Sequence, residues 1–303
     1  MKVVCVTGGD SKFFLHLLLL LRSFELHCPG QRLHICDFGF TEAEIEYLRE
    51  RAEVLAMPEE LRHVAHAWYR KGAIDLYLKD VVFDAVVWID ADCMLLADVG
   101  GELAALSGAT GAVVLAGAVF DSFTAVIEEN EAAGRSTIAL FRDIIDGHGL
   151  SYDLPYVNIG LFFCRSRPLL EDWRRATLQV GPHPLFEQNV FNALVHKRGV
   201  LRLIDADAFN VTGPELNRLV RRDDGVVVNS KGAPVRMIHL TSSVDGVLEI
   251  IELQINIGDK VLAGTMRRPT NPALRAIQHE LLQSLAGEAA RLDAHGLLGS
   301  GGG

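Results

Sequence analysis

Short apolar runs alternate with longer stretches of helical periodicity through the first ninety residues. "KVVCVTGG" (2–9) reads as a buried strand running into a Gly-rich turn, and Lys12 to about Leu26 as a buried helix. "RLHICDFG" (32–39) is a second strand. "TEAE" at Thr41 to Glu44 has the spacing of a capping box, and the helix it opens runs to about Arg51. "AEVLAM" (52–57) is a third strand, and a helix over about Tyr69 to Lys79 leads into the apolar strand of "AVVWID" (85–90). Strands separated by helices of this length predict βαβ units and a mostly parallel sheet.

Beyond residue 100 the pattern loosens. "AVVLAG" (112–117) fits a strand, and Phe123 to Asp146 a helix broken near Gly134. "YVNIGLFFCRS" (156–166) is a strong strand. "RPLLEDWRRATLQV" opens a helix with Pro168 at a tolerated early position, and "PLFEQNVFNALVHKRG" is a helix closed by Gly199. The runs "VLRLID", "GVVVN" and "PVRMIHL" fit short strands, residues 272–293 an amphipathic helix, and "GLLGSGGG" a flexible end. The chain shows no internal repeat beyond one tetrapeptide and no break in composition before about residue 262. The expected organisation is one α/β domain over 1–262, a single mostly parallel mixed sheet flanked by helices, with a helical extension and flexible tail over 263–303.

Composition narrows the function. Of the 303 residues 49% are hydrophobic and 22% charged, which supplies ample core for a globular domain. The apolar stretch Phe13 to Leu21 is too short to span a bilayer and is preceded by a strand and Asp10, so neither a transmembrane segment nor a secretory signal is expected. The five cysteines are odd in number, lack CxxC spacing and sit mostly in apolar runs. They read as buried thiols of a reducing compartment, and a cytoplasmic location is expected. A net charge of −10 without a basic stripe argues against nucleic acid as a partner. The same charge would repel a phosphate substrate unless a cation mediates.

"IDAD" occurs twice, at 89–92 and 204–207. A strand rising into D-x-D places two carboxylates at its carboxyl end, where open α/β sheets bind ligands. Carboxylates that converge there repel unless protonated or bridged by a cation, and oxygen ligands suit Mg²⁺ or Mn²⁺. Asp90 and Asp92 follow three predicted βα units and lead into "CMLLADV". Asp205 and Asp207 instead lead into the polar "AFNVTGPELN", so the second copy reads as solvated turn carboxylates. Asp223 and Asp224 in "RRDDG" form a later acidic pair of the kind an aspartyl-nucleophile phosphatase would use.

In order, "VTGGDSKFF", "HICDFGFTEAEIEYL", "KGAIDLYLKDVVFDAVVWIDADCMLL", "VNIGLFFCRS", "FEQNVFNALV" and "RMIHLTS" resemble the GT-A glycosyltransferases of the glycogenin and lipopolysaccharide-galactosyltransferase type (family 8-like), over roughly residues 1–242. The resemblance implies a GT-A nucleotide-diphospho-sugar transferase fold and sugar transfer, with retention, from a nucleotide sugar, UDP above others. The acceptor would be a glycan, a lipid or a small molecule, and the cofactor Mn²⁺ or Mg²⁺. It implies Asp90, Asp92 and His239 as metal ligands, Asp92 the firmer of the two carboxylates because Asp90 also serves the ribose. An imidazole at the carboxyl end of "VRMIH" suits a divalent transition metal. His63, His66, His183 and His196 lack such a setting.

The same resemblance places Thr7 and Gly8 against the base and ribose, Lys71 on the donor, Glu187 and Gln188 facing the sugar, and Asn158 at the sugar or acceptor, with Gly160 allowing close backbone approach. On a helix Gln188 and Asn192 share one face, and Phe186, Val190 and Leu194 another. Two departures stand out. Glu187 replaces the usual Asp, and the "HLTSSVDGVLEI" segment keeps Gly246 but has no Lys where relatives grip the diphosphate, which leaves that charge to the metal or to a basic residue elsewhere such as Arg267 or Arg268. The alternatives are an aspartyl-nucleophile, Mg²⁺-dependent phosphatase and a sugar-nucleotide-binding relative without turnover.

Overall fold

The computed structural model of the chain describes residues 1–64, 66–242, 244–257 and 260–300. In chain order its strands and helices are β1 (Val3–Gly9), α1 (Phe14–His27), β2 (His34–Asp37), α2 (Glu42–Arg49), β3 (Glu53–Leu55), α3 (Ala67–Gly72), α4 (Ile74–Tyr77), β4 (Ala85–Ile89) and β5 (Cys93–Leu95). There follow α5 (Val99–Thr110), β6 (Val114–Phe120), α6 (Phe123–Ala132), α7 (Ala139–His148), β7 (Tyr156–Cys164), α8 (Arg167–Thr177), α9 (Phe186–Lys197), β8 (Leu201–Ile204) and α10 (Ala206–Phe209). The last are β9 (Val220–Arg221), β10 (Val227–Val228), β11 (Met237–His239), β12 (Leu248–Ile257), β13 (Lys260–Pro269), α11 (Pro272–Ser284), α12 (Ala289–Ala294) and β14 (Gly299–Ser300).

The main sheet has seven strands in the order β3-β2-β1-β4-β7-β6-β8. β1 pairs parallel with β2, β2 with β3, and β6 with β8, while β6 and β7 run antiparallel. This is the mostly parallel α/β sheet that the alternation of elements predicts. By contacts the chain divides into two compact units, one of Met1–Val4, Ala56–Trp88 and Gly100–Ala206, the other of Cys5–Leu55, Ile89–Val99 and Asp207–Gly303.

In the second unit α1 is buried almost all round, with Leu17, Leu18 and Leu20 fully inaccessible, as an uninterrupted run of leucines requires. α2 carries the expected capping box: Glu44 N–H donates to Thr41 Oγ1, and Thr41 N–H donates to Glu44 Oε2 at 2.7 Å. β5 pairs antiparallel with β11, and β12 with β13 over their whole length. That hairpin continues to Pro269 before Asn271 caps α11. The helix expected over 272–293 is interrupted, α11 passing through a 3₁₀ turn (Leu285–Glu288) into α12. Of the expected flexible end, Gly299 and Ser300 pair as β14 with Val261 and Lys260, and residues 301–303 lie outside those described.

In the first unit the helix expected over 69–79 is two short ones, α3 and α4, separated at Ala73. Gly72 at that joint meets Thr177 of α8 so closely that a Cβ would stand 2.8 Å from Thr177 Cγ2. The break expected near Gly134 falls there, where φ is +72°. α8 is capped by Ser166, whose Oγ accepts from Leu169 N–H at 3.2 Å, and it buries Leu169, Leu170 and Trp173. The β6–β7 ladder steps from Ala116↔Phe162 to Gly117↔Asn158, a bulge that leaves the backbone of β7 at Ile159 without a partner on β6.

Candidate functional site

Asp90 follows the last residue of β4, and its carbonyl accepts Cys93 N–H at 3.1 Å, so the chain turns sharply before β5. β5 then pairs with β11 in the register His239↔Cys93, and Leu240 N–H donates to the Asp92 carbonyl at 2.8 Å. This short ladder seats an imidazole beside the D-x-D carboxylates. His239 Nε2 lies 3.1 Å from Asp92 Oδ1 and 3.8 Å from Asp90 Oδ2. Asp92 and His239 are buried, and Asp90 is partly so. Among the described residues, Asp92, Cys93 and His239 are a group of three with ligand atoms all within 4.8 Å of one another. Cys93, a buried thiol by its sequence setting, follows Asp92 and pairs with His239 across the ladder, which puts its sulfur near the same centre.

Arg267 of β13 completes the surroundings. Its Nη1 donates to Asp92 Oδ2 and, at 3.1 Å, to the Leu240 carbonyl. Its backbone N–H donates to His16 Nε2 at 3.0 Å, and its carbonyl accepts from Gln278 Nε2 at 2.9 Å. Burial by itself raises the Asp92 carboxyl, but the His239 imidazole and the Arg267 guanidinium outweigh it and hold the group well below the usual carboxylate range. Burial, aided by Arg267 and opposed by Asp92, lowers the His16 imidazole to about 4. A neutral His16 is what its hydrogen bond requires, since Nε2 is the acceptor.

The donor set suits a divalent ion. Two ligands in neighbouring positions of a six-coordinate ion with bonds of about 2.1 Å stand roughly 3 Å apart. The Asp92–His239 separation matches that figure, and Asp90 is within a small side-chain adjustment of it. His239 Nδ1 is buried with no hydrogen-bond partner among the described residues, so nothing on that side ties the ring to one tautomer.

At the carboxyl end of β1, Thr7 is fully buried and its Oγ1 has no hydrogen-bond partner among the described residues. Gly8 has a packing reason to be glycine. A Cβ there would stand 2.5 Å from the ring of Phe38, whose own N–H donates to the Gly9 carbonyl.

In the first unit the polar residues at the start of α9 are buried, not solvated. Gln188 Oε1 accepts Ile159 N–H at 3.0 Å, which satisfies the backbone group released by the bulge. Gln188 Nε2 donates to the Tyr156 hydroxyl at 2.9 Å, and that hydroxyl donates to Asn189 Oδ1 at 2.7 Å. One turn on, Asn192 grips Val157 at both backbone groups, accepting its N–H at 2.8 Å and donating to its carbonyl at 2.9 Å. Gln188 and Asn192 do share a face, and it fastens α9 to β7. Glu187 and Lys71 are both buried, with Nζ 3.9 Å from Oε1, and Lys71 Nζ stands 5.6 Å from the centre of the Trp88 ring. Asn158 Oδ1 accepts Gly160 N–H at 2.7 Å, which closes a local turn at the bulge.

The look-alike acidic groups are occupied differently. Asp207 opens the short α10 and pairs with Lys231 at 2.7 Å, and Asp224 pairs with Arg222 at 2.7 Å, both toward solvent. Of the other histidines, His66 caps α3, His183 Nδ1 lies 2.8 Å from the Gly181 carbonyl, and His196 Nε2 lies 2.8 Å from the Pro155 carbonyl. His63 is exposed. All five cysteines are free and buried, as their sequence setting suggests.

No protein-family model and no curated protein matches this sequence. Solved structures do. The galactosyltransferase LgtC, determined in complex with donor and acceptor sugar analogues, is 15% identical with a TM-score of 0.53, over 92% of this chain and 95% of that one. The fold is that of a GT-A glycosyltransferase. The bifunctional glycosyltransferase WbbM in its apo form gives a TM-score of 0.53 at 14% identity over 78% of this chain, which spans 45% of WbbM. Among the described residues no helix is long and apolar enough to cross a membrane.

Proposed function

We propose that this protein transfers a sugar from a nucleotide-diphosphate sugar, UDP-linked before others, to an acceptor hydroxyl, and that it needs Mn²⁺ or Mg²⁺ to do so. The observation that carries the reading is the convergence of His239 Nε2 on Asp92 Oδ1 and Asp90 Oδ2. These three side chains would hold the ion, with Asp90 shared with the ribose and Thr7 and Gly8 lining the nucleotide edge of β1. When bound, the ion would offset the negative charge that gathers on the leaving diphosphate as the glycosidic bond lengthens.

The remaining roles follow the family resemblance. Gln188 and Glu187 would address the donor sugar, Lys71 the donor, and Asn158 with Gly160 the sugar or acceptor, with retention of configuration. Gln188 is suited to a fixed role, because Ile159 and Tyr156 hold its amide at both ends and leave one N–H of Nε2 available. The glycan, lipid or small-molecule class of the acceptor stays open on this reading.

The test is UDP release from a panel of UDP-sugars with Mn²⁺, Mg²⁺ or chelator. Release that depends on the ion and disappears in Asp92→Ala supports the proposal; equal release by Asp92→Ala sinks it. The missing Lys after His239 favours one second reading, a sugar-nucleotide-binding protein without turnover. That reading predicts stabilisation by UDP with Mn²⁺ in a thermal-shift assay and no release from any donor.

A further inference from the structure

We propose that Arg267 is the resident counter-cation of the metal site, one that fixes which oxygen of Asp92 is offered to the ion and restrains binding of a bare ion until an anionic nucleotide arrives. The inference rests on the metal reading above and adds to it a residue of the β12–β13 hairpin.

The two oxygens of Asp92 are divided between two partners. Oδ1 faces His239 Nε2 at 3.1 Å, while Oδ2 accepts from Arg267 Nη1. A carboxylate pinned through one oxygen presents the other as a monodentate ligand, so the side chain has one orientation before any ion arrives. Arg267 is itself anchored. Its N–H is held by His16 and its carbonyl by Gln278, Nη1 also reaches the Leu240 carbonyl, and the guanidinium lies 6.0 Å from the Phe13 ring centre. Its side chain nevertheless keeps 35% of its exposure, and the N–H groups not bonded to Asp92 or Leu240 remain for an anion.

Two effects of this cation on metal affinity oppose each other. Loss of an outer-shell hydrogen bond to a ligand weakens metal binding by about tenfold to a hundredfold. Repulsion acts the other way, since a guanidinium bonded to one oxygen of a carboxylate lies within about 6 Å of an ion on the other. Between a single and a double positive charge at that range, even in a partly solvated site, the effect is on the order of a hundredfold or more. Repulsion wins for a bare ion. A bound diphosphate reverses the balance, because both cations then face the same anion. Arg267 thus couples the ion to the nucleotide, and it supplies the positive charge for which the segment after His239 has no Lys.

The experiment is titration with Mn²⁺, followed by the electron paramagnetic resonance of free Mn²⁺, with and without UDP. Arg267→Gln should bind bare Mn²⁺ about tenfold tighter than wild type, and should lose about tenfold or more of the gain that UDP confers. Arg267→Lys, which keeps the charge, should stay within about threefold of wild type in both measurements. Arg267→Met, which keeps the apolar stem, gives the same readout as Gln should the Gln protein not fold. Bare-ion affinity in Arg267→Gln equal to or weaker than wild type overturns the proposal. Asp92→Asn separates the two readings. If it binds Mn²⁺ as well as wild type, the metal reading falls and the Arg267 assignment with it. If it loses Mn²⁺ while Arg267→Gln matches wild type, the Arg267 proposal alone fails.

Discussion

His239 and Cys93 are paired across the β5–β11 ladder, and that one register sets the candidate metal centre. With Leu240 N–H on the Asp92 carbonyl, the ladder fixes the imidazole against a carboxylate that arrives from a different part of the chain. A shift of one residue would turn His239 to the other face, because side chains alternate along a strand.

Removal of Asp92 should therefore affect binding before folding. Asp92→Ala is expected to abolish Mn²⁺ binding and UDP release while lowering stability by about 1–3 kcal/mol, the range for loss of charged hydrogen bonds. The stability loss stays modest because Arg267, one third exposed, can turn to solvent when its partner is removed. Urea denaturation of the variant beside a Mn²⁺ titration checks both parts.

The amides of α9 should separate function from scaffold. Asn192→Leu leaves both backbone groups of Val157 unsatisfied in a buried setting and should destabilise by about 2–4 kcal/mol. Gln188→Ala orphans Ile159 N–H and should cost about 1–3 kcal/mol, yet on the proposed role it also lowers kcat by at least about a hundredfold without a matching rise in KM for the donor. Stability by urea and steady-state kinetics on the same preparations give the comparison. A Gln188 variant whose kcat falls no further than that of an equally destabilised Asn192 variant would remove the proposed role.

His16 predicts a pH dependence of stability. Its folded pKa of about 4 lies below the ordinary histidine value of 6.5. Above pH 6.5 the imidazole is neutral in both states and contributes no pH dependence. As pH falls from 6.5 towards 4 the unfolded chain takes up the proton first, so stability declines across that window, by up to about 3 kcal/mol. His16→Gln, which can still accept the Arg267 N–H, should flatten this part of the stability curve in denaturation at successive pH values.

Gly8 predicts a steric defect with a rescue. Gly8→Ala drives a methyl into the Phe38 ring and should destabilise by about 1–3 kcal/mol. Phe38→Leu in the same chain should recover part of that loss, and a double-mutant cycle by thermal denaturation should show coupling well above additivity error, about 0.5 kcal/mol. Nucleotide titration of Gly8→Ala then tells whether the glycine serves the ligand as well as the ring.

Most strands and helices were legible because each carries a local signal: β1, β4 and β7 as apolar runs, α2 through its capping box, and α9 through Gly199. The β12–β13 hairpin lies outside the elements expected from the sequence, although "LEIIELQINI" and "KVLAGTMRRP" flank a Gly-Asp pair, a turn signal between two strand-like runs. The polar face of α9 looked the same in sequence whether solvated or buried. Burial was decided by the bulge in β7, which leaves backbone groups for Gln188 to satisfy, and a bulge has no reliable mark in one strand's own residues.

By itself the sequence determined the alternation of strand and helix, and with it the mostly parallel sheet and the strand end where Asp90 and Asp92 sit, because periodicity and caps act over a few residues. Only the tertiary structure decided that His239 and Arg267 stand beside Asp92, and that each Asp92 oxygen has a different partner. Those facts depend on strand register and on a hairpin far along the chain. Contacts between residues so distant in sequence are set by packing of the folded whole, not by any local preference.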